Sequence, residues 1–166
     1  MKHFKFISFL VILFGVLITS CVKEKSFPAT PAITFDKYIL YQEDSADCYI
    51  KFKDGDGDVG VYAGDTSSAN NLMMKFLLKA SDGKFHPYDY ILGNSTFDTL
   101  FYGFKIPNIT PDGQYKALDG EIKIKLRTQP IYGPANTGDI VKFDIYLMDR
   151  AGHKSNTVST NEIVVP

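Results

Sequence analysis

Apolar and polar residues alternate with period two along most of the chain after residue 32, and no long stretch shows the spacing of an amphipathic helix. Ile33 and Phe35 begin a first predicted strand, which kinks at Asp36 and Lys37 and resumes at Tyr38 and Leu40. Cys48, Ile50 and Phe52 share one face of a second, and Leu72, Met74, Phe76 and Leu78 one face of a third. Asp82 and Gly83 both tolerate positive φ, so they predict a hairpin turn into a return strand from Phe85 to Tyr88. Leu100, Tyr102, Phe104 and Ile106 alternate next. Asp119 and Gly120 are expected to turn the chain before Ile122, Ile124 and Leu126. Val141, Phe143, Ile145 and Leu147 follow, and Val158, Ile163 and Val165 close the domain.

Seven or eight short strands, each apolar on one face, bury those faces most simply as two antiparallel sheets packed together. The predicted fold is an all-β, immunoglobulin-like antiparallel β-sandwich over residues 32–166, with a small β-barrel as runner-up. The cysteine–tryptophan–cysteine signature of antibody domains is absent, since the chain has no Trp.

The first residues follow a different pattern. Lys2 and Lys5 precede an almost wholly apolar run from Phe6 to Ile18, which reads as the n- and h-regions of a signal peptide over residues 1–20. Its thirteen residues fall short of the roughly 20 needed to span a hydrocarbon core. The run ends in Leu17, Ile18, Thr19, Ser20 and Cys21, which resembles the lipobox of bacterial lipoproteins. That resemblance implies a diacylglyceryl thioether and an N-acyl chain on Cys21, and such a multiply acylated residue holds stably to a membrane. Residues 21–31, with Lys23, Glu24, Lys25, Ser26, Pro28 and Pro31, read as a solvated tether.

Removing residues 1–20 leaves 146 residues, enough for one domain with a substantial core. The remaining 16 cations and 19 anions form no basic excess, so nucleic acid is not an expected partner. Of the two cysteines one is Cys21; Cys48 is left without a partner and is expected to be a buried small hydrophobe.

Asp54, Gly55, Asp56, Gly57 and Asp58 place three carboxylates at alternate positions on a segment able to curl tightly. Ca²⁺ takes six to eight oxygens, and alternate aspartates on a curling loop can converge on one ion. The spacing matches the first three ligands of an EF-hand loop, with Asp65 at the twelfth place. Val59 stands where that loop requires Gly, however, and the flanks read as strands. In a sandwich the loop after the second strand and the loop before the last cluster at one end, which would bring Asp149 to the triad. The expectation is a Ca²⁺ site of Asp54, Asp56 and Asp58, completed by Asp149 or Asp65 and backbone carbonyls. The alternative is a polar turn that binds nothing.

The stretch Asp149-Arg150-Ala151-Gly152-His153-Lys154-Ser155-Asn156-Thr157-Val158 resembles the hairpin between the last two strands of bacterial Ig-like and cadherin-like modules. Together with the lipobox and the Asp/Gly loop, it makes the chain resemble the small Ig-like envelope lipoproteins of Bacteroidetes-type bacteria. The resemblance implies a lipid-anchored cell-envelope protein, most often at the outer membrane. It also implies a non-enzymatic binding or scaffolding role, with an envelope protein or a glycan as partner.

Neither His86 nor His153 has the spacing of a zinc site, and no serine sits in a nucleophile elbow, so catalysis is not expected. The segment from Phe85 to Phe104 is rich in rings. Tyr88 and Tyr90 are the candidates for stacking on sugar in the alternative reading, an accessory glycan-binding lipoprotein of a nutrient-uptake system, although core packing also accounts for such rings. The Asn-X-Ser/Thr triplets at Asn94 and Asn108 carry no meaning in bacterial export.

Overall fold

The computed structural model describes residues 26–42, 45–65, 69–88, 100–127, 132–133 and 135–166. Cys21 and Tyr90 lie outside them. The described strands are β1 (Ala32–Gln42), β2 (Ser45–Asp54), β3 (Leu72–Lys79), β4 (Phe85–Pro87), β5 (Phe101–Phe104), β6 (Leu118–Arg127), β7 (Ile140–Leu147), β8 (Val158–Ser159) and β9 (Ile163–Val164). One sheet has the order β1-β2-β6; the other runs β4-β3-β7-β8, with β5 also on β3 and β9 also on β7. Every strand pairing is antiparallel. Of the five long strands, β1, β2 and β6 thus form one sheet and β3 and β7 belong to the other, the alternation between sheets of an immunoglobulin sandwich.

The period-two pattern is what allows this packing. Cys48, Ile50 and Phe52 from β2 and Ile122, Ile124 and Leu126 from β6 point inward, against Leu72, Met74 and Phe76 from β3 and Val141, Phe143, Ile145 and Leu147 from β7. Phe143 ties the layers together: its ring stacks on Tyr38 from the opposite sheet and meets Phe76 and Tyr102 edge-on. Cys48 is fully buried, and desolvation pushes its thiol up to about 12, so it packs as an apolar residue. The kink expected at Asp36 and Lys37 is a register shift between Phe35 and Lys37.

Two expectations are corrected. Asp119 and Gly120 do not turn the chain: both lie within β6, opposite Lys53 and Phe52. A Cβ on Gly120 would sit 3.2 Å from the Phe52 ring, so glycine leaves that ring room. The closing strand is split in two. Thr160 accepts the Phe143 N–H on its own hydroxyl and donates its N–H to Phe143 O, a side-chain detour that separates β8 from β9.

Candidate metal centre at one end of the sandwich

Asp54 is the last residue of β2, and the strand's alternation carries its side chain inward, where it is fully buried. The chain then folds back on it: Asp58 N–H donates to Asp54 Oδ2 at 3.0 Å, closing a tight turn. Gly57 (φ 70°) makes that turn possible and also makes room, since a Cβ on it would come within 2.1 Å of Lys116 O.

Two other segments clasp this loop. Val61 bridges to Pro107, and Asn108 N–H donates to Val61 O at 2.8 Å. From the β7–β8 connection, Arg150 N–H donates to Asp58 O at 3.3 Å and Ala151 N–H to Asp58 Oδ2 at 2.9 Å. The Arg150 guanidinium holds the three loops together by donating to Gly60 O, Asn108 Oδ1 and Thr110 Oγ1. Nothing in the sequence marks Arg150, Asn108 or Thr110 for this role, because each acts through contacts between distant loops.

Asp54, Asp56 and Asp58 each bring a carboxylate oxygen to within 4.8 Å of the other two. Two oxygens on opposite sides of a calcium ion stand about 4.8 Å apart, so the three can share one ion. Burial, reinforced by the charges of Asp56, Asp58 and Asp149, raises Asp54 to about 6. Burial and the charges of Asp149 and Asp56 raise Asp58 as well. Asp149 is therefore close enough to act on both. Its buried carboxylate accepts the His153 backbone N–H at 2.7 Å and faces His153 Nδ1 at 2.8 Å.

Among the described residues no ion pair neutralises the triad. Asp54 Oδ1 and Asp58 Oδ1 are both buried without a hydrogen-bond partner. Native interiors rarely leave such acceptors unsatisfied, and an uncompensated buried carboxylate costs on the order of several kcal/mol. A hard divalent cation would supply what the loop lacks, and an all-oxygen donor set would suit Ca²⁺. Asp56 is exposed and leaves the cluster accessible from solvent. Asp65 lies outside the cluster, on an exposed turn where its N–H donates to Tyr62 O and its carbonyl accepts from Lys105 Nζ.

Of the rings considered for sugar stacking, Tyr88 is half-buried and packs against the core. Several surface rings carry a cation over one face: Arg127 on Tyr41, Arg150 on Tyr62, Lys154 on Tyr146, and both Lys37 and Lys123 near Tyr49. A covered face is not open to a pyranose. No protein-family model matches the chain, and it has no significant match among curated proteins or among solved structures.

Proposed function

We propose that the protein is a lipid-anchored envelope lipoprotein whose immunoglobulin-like domain holds Ca²⁺ at one end and serves as a non-enzymatic binding or scaffolding module. The observation that carries the metal assignment is the pair of orphaned oxygens, Asp54 Oδ1 and Asp58 Oδ1, buried beside a third carboxylate. Calcium converts their mutual repulsion into ligation and ties the end of β2 to its loop. Through the two bonds from Arg150 and Ala151 to Asp58, it also stiffens the β7–β8 connection. What supports the anchor is the sequence around Cys21, an export-type apolar run ending in a lipobox-like tetrad.

The metal reading is tested by calorimetric titration of the purified protein with Ca²⁺ after chelator treatment, with Mg²⁺ as comparison. Saturable heat and a higher melting temperature in Ca²⁺ are expected. Absence of both would remove calcium from the function.

A further inference from the structure

The acidic loop lies at the end of the sandwich where the N-terminal segment arrives. Gly55 N–H donates to Pro28 O at 2.9 Å, and a Cβ on Gly55 would come within 2.1 Å of Phe27 O. Lys53 Nζ stands 5.3 Å from the centre of the Phe27 ring. Cys21 precedes Phe27 by six residues, and six residues of fully extended chain reach no farther than about 20 Å. A lipid on Cys21 would hold this end of the domain, and not the other, close to a bilayer.

Large apolar side chains are exposed on the loops of this end: Tyr62 at 58%, Ile109 at 38% and Tyr115 at 62%. The pairing of Val61 with Pro107 and Asn108 sets Tyr62 and Ile109 on neighbouring strands of chain. The close approach of Gly57 to Lys116 O brings the loop bearing Tyr115 alongside. Tyrosine, with an apolar ring and a polar tip, favours the boundary between headgroups and acyl chains. One such ring binds a membrane weakly. A short leash raises its effective concentration at the surface enough for a few to act together.

We infer that this end is a docking surface for the lipid bilayer, with Tyr62, Ile109 and Tyr115 entering the interface and the long axis of the sandwich standing away from it. The inference rests on lipidation of Cys21. The β1–β2 hairpin marks the far end: Ser45 and Asp54 are nine residues apart on β2, about 30 Å.

The chain has no tryptophan, so single reporters are clean. The lipidated full-length product is reconstituted into phosphatidylethanolamine–phosphatidylglycerol vesicles carrying brominated acyl chains. Tyr62→Trp and Tyr115→Trp are placed at the docking end and Tyr41→Trp beside the far hairpin. Emission at position 62 or 115 is expected to shift blue and to be quenched more strongly than at position 41. If neither is quenched beyond position 41 while the protein floats with the vesicles, the docking surface is wrong and the anchor stands. If the protein does not float, the anchor fails, and the docking surface falls with it.

Discussion

Asp54 and Asp47 are both buried aspartates on β2, and they respond to pH in opposite directions because their neighbours differ. Asp54 faces other carboxylates and is raised to about 6, above the 3.8 of an unfolded chain. In metal-free protein its contribution is present below about pH 4 and lost as pH rises through about 6. Calcium requires the ionised form, so saturating metal reverses that trend. Asp54→Asn keeps an acceptor for Asp58 N–H while removing the charge. Scanning calorimetry at neutral pH is expected to show the metal-free variant melting higher than metal-free wild type, with its response to Ca²⁺ lost. In wild type that response is expected to reach about 2.7 kcal/mol at a hundredfold excess of Ca²⁺ over Kd. Asp47 instead takes bonds from Lys123, Tyr41 and Arg127, of which Lys123 lowers it most, to about 2. Its contribution is present above about pH 4 and fades as pH falls toward about 2. Asp47→Asn is therefore expected to flatten the acid limb of a urea-midpoint profile and to leave the calcium response intact. The acidic triad was legible because Asp and Gly alternate in plain view. The Asp47 cluster was not: the residue stands at an outward position of its strand, and only Tyr41 and the two cations folding over it bury it.

Strands and loops here are joined by side chains that imitate backbone. Asn156 accepts the Ile33 N–H and donates to Ile33 O, both at 2.8 Å, and so fastens β1 to the hairpin of the other sheet as a neighbouring strand would. Ser155 accepts the Leu147 N–H on its hydroxyl and donates its own N–H to Leu147 O. Asn156→Ala removes both of its bonds and leaves the backbone polar groups of buried Ile33 without their partner; chemical denaturation is expected to show a loss of about 1–3 kcal/mol. An unchanged midpoint would mean that the edge of β1 is closed by something else. The same habit explains where period and turn chemistry mislead. Alternation located β2, β3 and β7 to within a residue or two, since one apolar face per strand leaves no other register. Gly120 looked like a turn because glycine beside aspartate has two physical meanings, positive φ or space for a neighbour. Only the Phe52 ring packed above it selects the second.

The alternation of long strands between two sheets brings the β2–β3 loop and the β7–β8 connection to one end, which is why residues as far apart in sequence as Asp58 and Ala151 are in contact. That much followed from the fold class, and it is how Asp149 was placed near the triad. The third clasping loop, at Asn108 and Thr110, followed from nothing in the sequence pattern. The domain is built on its two-layer core: Cys48 is buried there as a free thiol, and Phe27 and Pro28 of the N-terminal segment reach the acidic loop. Lipidation at Cys21 should consequently determine address without contributing to the fold. Cys21→Ser blocks acylation, and cell fractionation is expected to find the variant no longer held in the envelope by acyl chains. Its melting temperature and its calcium titration, measured on purified protein, are expected to equal those of wild type, because the core and the clasped acidic loop are built by residues from Phe27 onward. A variant still embedded in membranes to the same extent would remove the lipid anchor. A variant released but melting several degrees lower would show that the anchor segment supports the fold beyond the Phe27 and Pro28 contacts.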